Sequence, residues 1–206
     1  MNKTLIQEIQ DRGISLVAVT KKHTKEEVDA LAAMGLHVFG ENRVQEFLTK
    51  YDPAYTWHII GHLQTNKVKY IIGKVDVIES VDSIKLAKEI DKHAKKHGFI
   101  QKIYAEIKVS KTDENKTGYP YDQAMDFIDQ LQSFTNLHVI GLMCIASNTE
   151  DTSVVTREFD QMAALSKTCK EKYPDMTVLS MGMSNDWRLA LEHGSNQIRI
   201  GTALFE

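Results

Sequence analysis

Two cysteines in 206 residues, Cys144 and Cys169, are too few for a disulfide framework, and one of them lies inside an apolar run. A reducing compartment fits them better. Basic surplus is also missing. The 25 Lys and Arg stand against 28 Asp and Glu, a formal net charge of -3, which argues against nucleic acid or another polyanion as partner. Long hydrophobic runs are absent: nothing approaches the roughly 20 apolar residues that cross a bilayer. The opening Met1–Gln7 also lacks an uninterrupted apolar stretch of signal-peptide length. A cytoplasmic location without membrane association is the expectation. No linker, low-complexity tract or internal repeat divides the chain, and its 42% hydrophobic residues suffice for a sizeable core. Residues 1–206 are therefore expected to form a single domain.

What is present is a regular succession of short apolar, β-branched runs. Eight candidate strands read as Leu16–Thr20, His37–Phe39, Trp57–Ile60, Val75–Glu79, Ile103–Val109, Val139–Met143, Thr177–Ser180 and Ile198–Ile200. Helix signals fill the seven intervals. Thr24 and Glu27 have the spacing of a capping box. Ser83 can cap a helix running through Ile84, Ala87, Ile90 and Ala94 to Gly98, which suits the left-handed stop. Pro120 is expected in the first turn of a helix carrying Ala124, Phe127, Ile128 and Leu131, and a further helix is expected within 151–173. Strict alternation implies parallel strands with right-handed crossovers. In a chain of this length eight of them point to an α/β fold, a single (β/α)8 TIM-type barrel, with an open doubly wound sheet as the alternative. Only Thr202–Glu206 follow the eighth strand, so a helix bearing Leu5, Ile6 and Ile9 is expected to cover that gap.

In such a barrel the chemistry gathers at the C-terminal ends of the strands, and phosphate commonly binds the loops after the seventh and eighth. Here those loops read Met181-Gly182-Met183-Ser184 and Gly201-Thr202, with free amides and hydroxyls, and Ser184-Asn185 can begin a helix running to His193. Closure sets the first strand beside the eighth, which brings Lys21 from the opposite end of the chain to the same place. An amine at the tip of a buried strand is a Schiff-base partner for an aldehyde. Arg199, flanked by Ile198 and Ile200, is costly to bury without an acceptor. A pyridine nitrogen would supply one and would be kept unprotonated by the permanent cation. Pyridoxal 5'-phosphate (PLP) offers aldehyde, phosphate and that nitrogen together. Strand alternation lets only one of Lys21 and Lys22 face the mouth, and parity alone does not say which.

These segments closely resemble the pyridoxal phosphate homeostasis protein family, related in fold to the N-terminal domain of alanine racemase. The matching runs are Val17–Lys21, Phe39–Glu46, Trp57–Lys67, Gly141–Met143, Leu179–Ser184 and Ile198–Ala203, spread in order over nearly the whole chain. The resemblance implies that Lys21 carries the internal aldimine and Arg199 faces the pyridine nitrogen. It further implies that Ser184, Gly201 and Thr202 hold the phosphate, and that Asn42 lines the cofactor. Relative to the family, the chain begins closer to its first strand and stops at Phe205-Glu206, where an arginine commonly follows, so thinner helical cover is expected.

Two functional classes compete. A racemase needs a second base on the cofactor face opposite the lysine, a tyrosine supplied by another domain in the related racemases, and a pyridinium as electron sink. Neither is evident here, which favours a carrier or store of PLP, a monomer whose candidate acceptors are PLP-dependent apoenzymes, over an amino-acid racemase. A Schiff-base aldolase acting on a phosphosugar would use the same cradle, with His62, Glu41 and Glu106 as candidate acid/base groups. Simpler roles exist for several of these residues: Arg199 as half of an internal salt bridge, Asn42 as a helix cap, and Met143 and Cys144 as core. His93 and His97 have metal-ligand spacing but sit among lysines, which reads as a solvated helix face with no metal. The polar loop 110–119, after the fifth strand, is a candidate lid or docking surface for acceptor enzymes.

Overall fold

Eight parallel strands close into a ring. The computed structural model describes residues 1–110 and 116–206, and the middle of the candidate lid, 111–115, lies outside the described residues. The barrel strands are β1 (Ser15–Val19), β2 (Val38–Glu41), β3 (Thr56–Ile59), β4 (Val77–Val81), β5 (Gln101–Lys108), β7 (Leu137–Met143), β8 (Val178–Ser180) and β9 (Gln197–Ile200), and a two-residue strand β6 (Tyr119–Pro120) adds to β5 alone. Each strand pairs in parallel with the next, β4 with β5 and β5 with β7, and β9 returns to β1 with Ser15 opposite Gln197 and Ala18 opposite Ile200. The open sheet is thereby excluded.

Strands buried on both faces read as continuous apolar runs, and the alternation along them divides two interiors. Phe39, Trp57, Ile59, Ile78, Ile103 and Leu179 point outward into the main core, where the helices close over them. That core takes α1 (Lys3–Asp11), α2 (Lys25–Ala33), α3 (Val44–Lys50), α4 (Val68–Ile71), α5 (Ile84–His97), α6 (Ala124–Leu131), α7 (Thr152–Lys172) and α8 (Trp187–Glu192). The other parity faces the barrel axis, where Val17, Val19 and Ile60 form one small cluster and Val77, Tyr104 and Met143 another.

The local signals act as their chemistry requires. Thr24 and Glu27 complete the capping box on α2, and Ser83 accepts the Leu86 amide while Gly98 ends α5 at φ 72°. The β9 to β1 gap is covered as expected: α1 buries Leu5, Ile6 and Ile9, and the Asn2 amide donates to the Leu204 carbonyl at 2.9 Å on a one-turn helix α9 (Thr202–Phe205). Pro120 departs from expectation. It lies in β6 and caps a 3-10 turn, Tyr121–Gln123, so α6 begins only at Ala124. Lacking an N–H, Pro120 can extend β5 only as an edge. The strand expected at Val75–Glu79 is shifted to Val77–Val81, since Val75 and Asp76 belong to the turn in which the Asp76 carboxylate accepts the Trp57 amide at 2.8 Å.

Candidate functional site

All six candidate residues stand at the C-terminal ends of four contiguous strands, β8, β9, β1 and β2. After β1 the chain turns at once: the His23 amide donates to the Thr20 carbonyl at 3.1 Å, with Lys21 and Lys22 at the corner, both exposed. Val17 lies opposite Arg199 in the ladder, and Arg199 bonds across the barrel interior, so positions 17 and 19 face the axis. The same alternation carries to position 21, whereas Lys22 takes φ 67° at the turn.

Arg199 is 3% exposed and is held by the protein itself. Its Nη1 donates to the Ser180 carbonyl at 2.9 Å and hydroxyl at 2.7 Å, and Nη2 donates to the Cys144 carbonyl at 2.8 Å. The expectation that a ligand must satisfy this guanidinium is thus corrected in part, for three of its five donors are spent inside the barrel. Behind it lies a polar network that sequence reasoning missed. The fully buried Glu79 receives His58 Nδ1 at 2.6 Å, Gln197 Nε2 at 2.9 Å and the Ser180 hydroxyl at 2.7 Å, with Arg199 Nη1 at 3.9 Å, and Tyr104 donates to Gln197 at 3.0 Å. Burial opposes ionisation of Glu79. The His58 hydrogen bond and charge, with Arg199 and Ser180, outweigh it and hold the carboxyl below its usual range. The signal was there to find: His58, Glu79, Ser180 and Gln197 break otherwise apolar runs at inward parity.

On the neighbouring loops, Gly182 takes φ 97°, and a Cβ there would stand 2.6 Å from the Ala190 Cβ. Ser184 is partly buried in a turn that precedes α8, which begins at Trp187 and not at Ser184. The Asp186 carboxylate accepts the Met183 amide at 2.6 Å and delays the helix. Gly201 approaches β1 so closely that a Cβ would lie 3.2 Å from the Val19 carbonyl oxygen, and Thr202 is exposed beside it. Asn42 follows β2. It does not cap α3, whose N-cap is Arg43, and its backbone is backed tightly by Gly61. It also lines a cleft of about 250 Å3 with Arg43, Gln45, His62, Gln64 and Lys67.

Glu106 shares this end of the barrel. On β5 it stands opposite Met143, which is itself opposite Ser180. Oε1 accepts the Thr117 hydroxyl at 2.6 Å, while the buried Oε2 has no partner among the described residues. Burial pushes its pKa up to about 7, aided by Asp82 and opposed by Thr117, Arg199 and His62. A larger cleft, about 540 Å3, is lined by Lys108, Ser110, Tyr121, Asp122 and Gln161 and holds none of the six candidates. Met143 and Cys144 are buried, His93 pairs with Glu89 at 3.0 Å, and no group of three metal-ligating side chains occurs among the described residues.

Residues 2–206 match the family model of the N-terminal domain of alanine racemase. A pyridoxal phosphate homeostasis protein of Aquifex aeolicus is 39% identical over 195 residues, covering 92% of this chain and 85% of that one. This chain belongs to the pyridoxal phosphate homeostasis protein family. The family's pyridoxal phosphate homeostasis protein from Schizosaccharomyces pombe is 31% identical over 97% of the chain. PipY of Synechococcus elongatus has been solved without PLP, at TM-score 0.92 and 32% identity with both chains fully covered, and with PLP bound, at TM-score 0.91 and 31% identity. Alanine racemase of Clostridium difficile shares the barrel of the pyridoxal phosphate homeostasis family at TM-score 0.81 and 14% identity, over 99% of this chain and 55% of its own. That likeness is one of fold.

Proposed function

We propose that this protein binds PLP and serves PLP homeostasis as a carrier or store, with the cofactor attached to Lys21 through a Schiff base. The observation that carries the reading is the β9 to β1 closure, which brings an amine, a glycine-hydroxyl loop and a buried guanidinium to one end of the barrel. The relatives named for PLP homeostasis and the PLP-bound PipY support it.

The residues fit the group. Gly182 and Gly201 let the two loops pack closely on α8 and β1, where a Cβ would strike Ala190 and Val19, Ser184 and Thr202 add hydroxyls, and Arg199 keeps Nε and one Nη2 hydrogen for an acceptor. The unpartnered Oε2 of Glu106 marks a polar position that a ligand can complete. When bound, the cofactor supplies an aldehyde carbon that condenses with an amine, releasing water. Lys21 would provide that amine, Ser184, Gly201 and Thr202 would hold the phosphate, Asn42 would line the ring, and Arg199 would disfavour a proton on the pyridine nitrogen.

A carrier fits this arrangement better than a racemase. An unprotonated pyridine is a weak electron sink, and Tyr104, the tyrosine of the barrel interior, is bonded to Gln197 with its hydroxyl pKa driven far up by burial, so it is no base. Buried, unpaired Cys144 and Cys169 suit the cytoplasm, where PLP-dependent apoenzymes are the proposed acceptors and the protein is a monomer. Borohydride reduction of PLP-treated protein followed by peptide mapping tests the reading. We expect the label on Lys21; label on Lys22, or none with a colourless protein, overturns it. Racemisation of alanine followed by optical rotation tests the alternative.

A further inference from the structure

Lys22 is the one non-glycine residue with positive φ among the described residues, and it sits next to Lys21. A lysine in that conformation persists only where its surroundings over-determine it. Here they do. The Lys22 amide donates to Glu46 Oε2 at 2.8 Å. Immediately before it, the Thr20 hydroxyl donates to Glu41 Oε1 at 2.6 Å, and Lys50 Nζ donates to the Thr20 carbonyl at 2.7 Å and to Glu41 Oε1 at 2.6 Å. Lys50 Nζ also stands 3.8 Å from Glu46 Oε2.

Glu41 is fully buried and Lys50 is 4% exposed. Such a pair is weak support for stability, because desolvating two charges offsets their attraction and apolar residues of similar size often replace them without loss. Glu41 Oε2 even lacks a partner among the described residues. The alternation along β2 turns Gly40 to the axis, where its Cβ would strike Val17, and so turns Glu41 outward toward α3. Glu41, Glu46 and Lys50 therefore reach the ligand end of the barrel through the turn they grip, Glu46 and Lys50 at its backbone and Glu41 at the Thr20 hydroxyl. We infer that these three residues are positioning residues: they lock the Thr20–His23 turn and thereby aim the Lys21 amine into the barrel mouth. The inference rests on the proposed attachment at Lys21 for its purpose, although the clamp itself can be tested without cofactor.

Glu46→Ala removes the acceptor for the Lys22 amide, whereas Glu46→Gln keeps one. A double variant, Glu41→Leu with Lys50→Met, removes the buried pair without leaving a lone charge. Two measurements follow on each: amide hydrogen exchange of residues 20–24 in cofactor-free protein, and the PLP concentration at which half of Lys21 is trapped by borohydride. Glu46→Ala is expected to speed exchange at the turn about fivefold or more while the melting temperature stays within about 3 °C. If the aimed conformation falls to a tenth of the population, half-trapping shifts about tenfold higher in PLP. Glu46→Gln should restore both. Unchanged exchange and trapping in Glu46→Ala and in the double variant overturn the clamp, as does exchange that accelerates over the whole chain with a large fall in melting temperature. Failure of the wild type to trap PLP on Lys21 instead removes the proposed function, and the exchange data still decide whether the turn is clamped.

Discussion

Glu106 carries the clearest pH signature of any single residue here. Its folded pKa, about 7, lies above the ordinary 4.5, so the native state holds a proton that the unfolded chain releases between these values. By linkage its contribution is complete below about pH 4.5 and is lost as pH rises to about 7, by at most roughly 3.5 kcal/mol at 1.4 kcal/mol per unit. Glu106→Gln should flatten stability over that window in urea titrations. A parallel pH dependence in wild type and variant contradicts the assignment. Lys21, exposed at its turn, makes the opposite case: Lys21→Ala should abolish covalent PLP retention, read as loss of visible absorbance, yet shift the melting temperature by no more than about 3 °C. Glu79→Leu leaves Arg199 and His58 without their buried carboxylate and should cost about 3–5 kcal/mol in denaturant unfolding.

Among the elements, α1 belongs to the seam where the chain's two ends meet. Its buried Leu5, Ile6 and Ile9 cover the seam between the last and first strands, with Asn2 tied to Leu204. Ile9→Ala should cost about 2–5 kcal/mol by cavity formation, measured by equilibrium unfolding. Because the seam adjoins Gly201 and Lys21, the same change should also weaken PLP retention. A purely local helix shows itself in its caps: Ser83→Ala, losing the bond to the Leu86 amide, should cost about 1 kcal/mol and leave PLP retention untouched.

For the molecule as a whole, closure couples each of the eight barrel strands to two barrel neighbours, so no part of the ring can open without exposing core. A single cooperative transition is expected, with calorimetric and van't Hoff enthalpies equal. Two separable transitions would divide residues 1–206 into more than one domain. No helix of the described residues is long and apolar enough to cross a membrane.

The alternation of apolar runs with helical patterns and caps determined the α/β order from sequence alone, because strand and helix periods and capping chemistry are local properties, whereas closure into a barrel instead of an open sheet was decided by the β4–β5 and β9–β1 pairings. It also made Lys21, Ser184, Arg199, Gly201 and Thr202 legible as candidates, since barrel chemistry collects where strands end, while Asn42 entered only through the family resemblance. Tertiary structure decided the rest. That Arg199 is already held by Ser180 and Cys144, and that Glu79 gathers His58, Gln197 and Ser180, depends on partners up to 118 residues apart in sequence meeting across the axis. Likewise the turn at Lys22, with its left-handed backbone, is set by Glu46 from the next βα unit. Such contacts have no period and no spacing in the chain, so only the folded geometry could reveal them.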